Sequence, residues 1–404
     1  MPKPAARLDS LPAYPMARVP QRKRELLAAG VDVIDLGPGD ADLMPPPAAQ
    51  RRLAEAAAVP TMNRYGFGLG LVDFREAVAT WMARRFGLRF DPLREIVPLI
   101  GSKEGIAHLA FAYAGPGDAT IVPEPGYNSY RGGTQLALAE PYLYALRPRT
   151  NFLVELDDIP DDVLRRARIL YLNYPNNPTG AIAPRDYLER TVRRCRELDL
   201  LLVYDNAYSE LTFDGYVAPS IFEIDGARDV AIEFHSMSKT YNMTGWRCGW
   251  AVAAPPIAAS LAHVKTFVDT GAFQAVQAAA VAALASYDDF VPANVAVFRQ
   301  RRDAAVAAFR EAGFTVESPK ATMYLWIPLP EGVDDAVFTE RLMEDEGVIV
   351  LAGSGFGRGG AGYFRISFIT GPERLAEAAR RAGRVLRSLS AGAAAAAGVG
   401  AGAA

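Results

Sequence analysis

The sequence predicts an α/β fold, with a mostly parallel sheet in a large domain and a smaller α+β domain after it. Three observations lead there. Short apolar runs alternate with helical patterns through the middle of the chain. The polar motifs fall directly after the carboxyl ends of those runs, the edge at which open α/β sheets bind ligands. From about Pro292 the alternation gives way to long Ala/Arg-rich helical patterns between isolated strands.

Taken in order, the strands expected in the sheet are 95–100, 119–122, 168–173, 200–204, 229–234 and 247–253. Helical patterns, such as 102–114 and 185–197, lie between several of them. In the second part a helix is expected over 294–312, then a strand at 323–327 and another helix-like stretch. Strands at 348–351 and 363–368 and a closing helix at 372–389 complete it. The chain divides into an N-terminal arm (1–40), a large domain (41–290), a small domain (291–389) and a disordered Ala/Gly tail (390–404). The arm is expected to pack on the small domain or to reach a neighbouring subunit.

A chain of 404 residues, half of them hydrophobic, can bury a large core. Its formal charge of -3 leaves no electrostatic footprint for nucleic acid. No long apolar run fits a bilayer, and the first residues lack the apolar core of a secretory signal. A soluble cytoplasmic protein with no nucleic-acid or membrane partner is expected. Cys195 and Cys248 build no disulfide framework and suit small buried fillers. His108, His235 and His263 share no metal-ligand spacing, so they are expected to be structural and no metal is expected.

Five stretches carry chemistry. Leu99-Ile100-Gly101-Ser102-Lys103-Glu104 ends a strand and opens a helix, whose exposed N–H groups and serine hydroxyl suit a phosphate. Asn173-Tyr174-Pro175-Asn176-Asn177-Pro178-Thr179-Gly180 is a stiffened loop that presents Asn177 to the sheet edge. Asp205 ends an apolar strand in Val203-Tyr204-Asp205-Asn206-Ala207-Tyr208, where a carboxylate is costly unless paired. A protonated pyridine nitrogen is one such partner, although a helix N-cap is an equal reading of Asp205 alone. In Ser236-Met237-Ser238-Lys239, followed by Gly245-Trp246-Arg247, a lysine able to act as an amine nucleophile sits among hydroxyls and a guanidinium. Such a lysine and such a phosphate seat together match pyridoxal 5′-phosphate (PLP). Finally, Arg365 in Tyr363-Phe364-Arg365-Ile366-Ser367 offers a planar fork to a carboxylate. Taken singly, each has an ordinary alternative: a turn, a solvated lysine or a surface ion pair.

In sequence order these five stretches resemble the fold-type I PLP enzymes, and among them the class I/II aminotransferases, over nearly the whole chain. The resemblance implies the PLP-dependent transferase fold, with a mostly parallel seven-stranded sheet in the large domain. It implies that Lys239 is the Schiff-base lysine and proton shuttle, that Asp205 bonds the pyridine nitrogen, and that Asn177 and Tyr208 bond the phenolate oxygen. Tyr127 takes the position of the ring that stacks on the cofactor. Ser102, Lys103, Ser236, Ser238 and Arg247 take those around its phosphate. Tyr65 matches a tyrosine that reaches the phosphate of the other subunit, which implies a homodimer. Arg365 and the backbone at Gly39 match the grip on the substrate carboxylate. The implied activity is ping-pong transfer of an amino group between an L-amino acid and a 2-oxo acid.

Within the class the wording is similar to LL-diaminopimelate aminotransferase-like proteins, notably at Leu99-Ile100-Gly101-Ser102-Lys103-Glu104-Gly105, Asp205-Asn206-Ala207-Tyr208-Ser209-Glu210 and Glu233-Phe234-His235-Ser236. Some of those proteins bind the distal ammonium with a glutamate after the interface tyrosine. Here Gly66-Phe67-Gly68-Leu69-Gly70-Leu71 carries no acid, and Asp269 is the substitute on offer. No arginine lies between Lys265 and Arg299, which sets against a dicarboxylate specialist. Gly68 and Leu69 suggest room for a neutral side chain, so alanine, branched or aromatic amino acids are the alternative substrates. A carbon–sulfur β-lyase is a rival of the same fold. The forty residues before Asp40 are too few for the winged helix of an aminotransferase-like regulator.

Overall fold

A computed structural model describes residues 2–11, 19–67 and 70–400, with the last ten of these described only as helix. Its central sheet has seven strands, in the spatial order Ile96–Leu99, Gly249–Ala253, Ala231–Ser236, Leu201–Asp205, Ala167–Leu172, Ala119–Glu124 and Glu140–Ala145. Gly249–Ala253 alone runs against its neighbours, pairing antiparallel with both Ile96–Leu99 and Ala231–Ser236. That reversal has a consequence for the ligand edge. The six aligned strands end there, and the antiparallel strand begins there, so Arg247 just before Gly249 returns to the edge that Ser236 has just left.

Side chains alternate across the sheet with the two-residue period of a strand. Leu170, Leu172, Leu202 and Tyr204 enter one core cluster, while Ile169, Tyr171, Val203 and Ile232 enter another on the opposite face. Both faces are covered, as a parallel sheet requires, and the Leu201–Asp205 strand is buried throughout. The Glu140–Ala145 strand was not expected. It reads Glu-Pro-Tyr-Leu-Tyr-Ala, and its proline is tolerated because the strand lies at the sheet edge. Asp229 and Val230 belong to a short helix, Ala227–Val230, rather than to the strand that follows.

The second layer is a three-stranded antiparallel sheet of Leu351–Ala352, Tyr363–Ser367 and Tyr324–Pro328. Phe298, Phe309, Phe338, Phe364 and Leu375 form its core. From the N-terminal segment, Ile34–Asp35 pairs in parallel with Val348–Ile349, and Ser367 N donates to Leu36 O at 2.8 Å. The helix Tyr287–Glu311 begins before residue 291 and joins two cores, with Val291 in one and Phe298 in the other. The closing helix is Pro372–Gly400, so it continues into the stretch expected as a disordered tail; residues 401–404 lie outside the described residues. Among the described residues no helix is long and apolar enough to cross a membrane.

Candidate active site

One end of the site is built where Ile96–Leu99 passes into the helix Ser102–Tyr113. Gly101 caps that helix without a side chain and at φ 75°, leaving its first N–H groups for another acceptor. The Arg247 guanidinium lies directly against Gly101, where any Cβ would collide with it. Arg247 itself adopts φ 57° and donates from Nη1 to Thr244 O at 2.8 Å. Ser236 ends its strand and caps the short helix Met237–Thr240, its Oγ accepting from Ser238 N at 3.2 Å. Lys103 Nζ sits 5.7 Å from the centre of the Tyr127 ring. Burial, helped by the charge of Arg247, holds the Lys103 ammonium below its ordinary pKa.

The other end centres on Asp205. Tyr130 Oη donates to its Oδ2 at 2.8 Å, and Asn173 Nδ2 donates to its backbone carbonyl at 2.7 Å. Its Oδ1 is buried and makes no well-formed hydrogen bond, although the Ala207 backbone N–H lies near enough to the carboxyl to lower its pKa. Burial pushes the carboxyl up to about 6, against the hydrogen bond from Tyr130 that pulls it down. An acid placed this way is short of one donor or one positive charge. Lys239 Nζ donates to Gly39 O across the cavity. Tyr208 Oη and Tyr324 Oη are 3.0 Å apart, and burial holds Tyr208 well above the usual phenol range.

Arg365 completes the site. Its side chain is buried, with the guanidinium 4.2 Å from the Tyr324 ring centre and 4.9 Å from that of Phe356. Nη1 donates to Asn177 Oδ1 at 2.8 Å and Nη2 to Gly37 O. Asn177 N in turn donates to Asn173 Oδ1 at 2.8 Å, which ties the asparagine loop to the residue that holds Asp205.

A cavity of about 430 Å³ collects these groups. Gly39, Ser102, Lys103, Tyr127, Asn177, Asp205, Tyr208, Ser236, Ser238, Lys239, Arg247 and Arg365 all line it. Tyr65 does not; it is 71% exposed, with its ring 6.0 Å from that of Phe67. Sequence reasoning missed Asn173, Tyr324 and Phe356 on the cavity wall and Tyr130 behind it. Asn173 and Tyr324 each carried a signal as members of expected strands, and Asn173 also opens the asparagine loop. Asp269, offered as an acid for the substrate, is not on the wall: Lys265 Nζ donates to it at 2.9 Å and Gly271 N at 2.7 Å. Gly68 and Leu69, on which the expected room for a neutral side chain rests, lie outside the described residues.

The family model for aminotransferase class I and II matches residues 31–381. The chain belongs to that family. This aminotransferase is 46% identical over 382 residues to an LL-diaminopimelate aminotransferase of Moorella thermoacetica, covering 95% of this chain and 98% of the relative. A probable N-succinyldiaminopimelate aminotransferase structure from Thermus thermophilus superposes with a TM-score of 0.87 at 39% identity, over 92% of this chain and all of that one. The substrate-bound BacF structure from Bacillus subtilis gives 0.91 at 32% identity, over 95% and 98% of the two chains. The α/β architecture and the transfer of amino groups are therefore properties of this aminotransferase's family as well as expectations from its sequence.

Proposed function

We propose that this aminotransferase works with PLP and moves an amino group between LL-diaminopimelate and a 2-oxo acid. One observation carries the cofactor: Asp205 Oδ1, a buried carboxylate oxygen without a well-formed hydrogen bond, on a cavity that also holds Lys239. A pyridine N–H⁺ supplies the missing donor and the missing charge together. Diaminopimelate rests on the substrate named for the M. thermoacetica relative.

In this reading Asp205 holds the ring nitrogen, Asn177 and Tyr208 hold the phenolate oxygen, and Tyr127 covers the ring. Ser102, Lys103, Ser236, Ser238 and Arg247 hold the phosphate, with the N-terminus of the Ser102–Tyr113 helix adding its unsatisfied N–H groups. When bound, PLP supplies an electron sink for the pair left behind as the α-proton departs. Arg365 orients the amino acid by gripping its α-carboxylate with a fork already fixed by Asn177 and Gly37. Gly39 brings backbone to the same carboxylate, and Tyr324 Oη leaves no room for a side chain there. Lys239 takes the α-proton at Nζ and returns it on the other side of the amino group, so that two half-reactions alternate at one site.

The protein is a homodimer in this reading, with Tyr65 serving the second copy's site. Its 71% exposure beside Phe67 at 79% supports this: such a pair of exposed rings suits burial against another copy. A second reading of the substrate has its own support. Gly66, Phe67, Gly70 and Leu71 carry no acid and Asp269 is tied to Lys265, which favours alanine, branched or aromatic amino acids. Adding amino acids singly to the cofactor-loaded protein separates the two. LL-diaminopimelate should discharge the visible absorbance fastest; a faster response to alanine, leucine or phenylalanine moves the assignment to the second reading.

A further inference from the structure

Lys265 is fully buried in the helix Pro255–Val268, does not line the cavity, and has no part in the chemistry above. A buried ammonium without carboxylate partners is strongly unfavourable. Lys265 has two: its Nζ donates to Glu104 Oε1 and, at 2.9 Å, to Asp269 Oδ2. Each carboxylate is in turn tied to a turn of backbone. Glu104 is the third residue of the helix that opens at Ser102, and its Oε1 reaches back to accept from Ile100 N at 2.9 Å. It thereby clamps the strand-to-helix turn on which the proposed phosphate contacts sit. Asp269 Oδ1 accepts from Gly271 N at 2.7 Å. Just beyond, Gln274 Nε2 donates to Arg64 O at 3.1 Å and Gln277 Oε1 accepts from Leu71 N at 2.8 Å, flanking the segment that carries Tyr65.

We propose that Lys265 is a positioning residue for cofactor binding: it neutralises Glu104, keeps the Ile100–Ser102 turn shaped for a phosphate, and fixes the Asp269 loop beside the Tyr65 segment. This rests on the PLP reading of the site. Without Lys265, Glu104 and Asp269 face one another as uncompensated anions close to a turn meant for a dianion. His108 Nδ1, 3.0 Å from Glu104 Oε2, is the one other group of the cluster able to carry positive charge. The cluster is therefore a charge triad of one buried cation between two half-buried carboxylates, and the effect of removing the cation is electrostatic before it is steric.

The test measures the affinity of the apo-protein for PLP and, separately, for inorganic phosphate by calorimetry. Lys265→Met should weaken both by about tenfold, a coupling of ordinary size for a buried charge network. Lys265→Arg should stay within about threefold of wild type. The decisive variant is Lys265→Met with Glu104→Gln, which removes the cation and one anion together and should recover most of the loss. A purely structural role for Lys265 predicts no such recovery. Wild-type affinity in Lys265→Met, or a double variant no tighter than the single, overturns the proposal. Should the single variant fail to fold, the double is compared with Lys265→Arg, and a tenfold loss in the double overturns it. If the wild type binds neither PLP nor phosphate, it is the cofactor reading that has failed.

Discussion

The two walls of the cavity are made by different means. One is the ligand edge of the seven-stranded sheet, where Asn173, Asp205 and Ser236 end strands or follow them directly and Lys239 sits one turn beyond. Its groups are short, polar and fixed largely by bonds to backbone, as between Asn173 and the Asp205 carbonyl. The other wall belongs to the small antiparallel sheet and the turn beside it. There one guanidinium, Arg365, lies between the rings of Tyr324 and Phe356. On the proposed function the difference separates tasks. The sheet edge holds the cofactor and the proton-transferring lysine, and the aromatic wall holds the α-carboxylate that every amino-acid donor brings.

Four experiments press on that separation. Lys239→Ala belongs to the first wall, and its loss of a general base should lower turnover by roughly 10³-fold or more, measured with the fold checked by circular dichroism. Turnover within tenfold of wild type would break the assignment. Arg365→Ala belongs to the second wall. It should raise the amino-acid KM about a hundredfold, corresponding to about 3 kcal/mol for a lost charged double hydrogen bond, while cofactor affinity stays put. A comparable loss of cofactor affinity would merge the two walls.

The third concerns pH. Burial raises Asp205 to about 6, above its value in an unfolded chain. Its contribution to apo-protein stability is therefore present below about pH 4 and lost as pH rises through about 6. Binding to a ring cation needs the ionised form, so PLP affinity should strengthen over the same interval. Asp205→Asn should flatten both profiles, as followed by thermal melts and equilibrium dialysis. The smallest effect is expected at the seam. Tyr324→Phe removes the Tyr208–Tyr324 contact and should cost about 1 kcal/mol in kcat/KM, or severalfold. No measurable change would mean the two tyrosines act independently.

The sheet edge was legible in the sequence because its signals are local. A strand, a glycine or aspartate and the start of a helix can be read within ten residues, and Ser102, Asp205 and Lys239 were found that way. The partners were less legible because they come from far along the chain. Tyr130 meets Asp205 across 75 positions, Tyr208 meets Tyr324 across 116 and Lys265 meets Glu104 across 161. No periodicity or motif encodes such a meeting; it follows from which strands neighbour one another. The same reasoning explains Asp269. It was offered as a substitute acid for the substrate, but the helix it follows places Lys265 one turn away. The division at residue 291 was drawn where composition changes, whereas the helix Tyr287–Glu311 runs through it.

The central claim is that Lys239, on the cavity floored by Asp205, is where this aminotransferase carries its cofactor. The most direct measurement is borohydride reduction of the PLP-loaded protein, followed by mass mapping of its lysines. One phosphopyridoxyl group per chain is expected, on Lys239. A label on Lys103 instead, or none at any lysine, would contradict it.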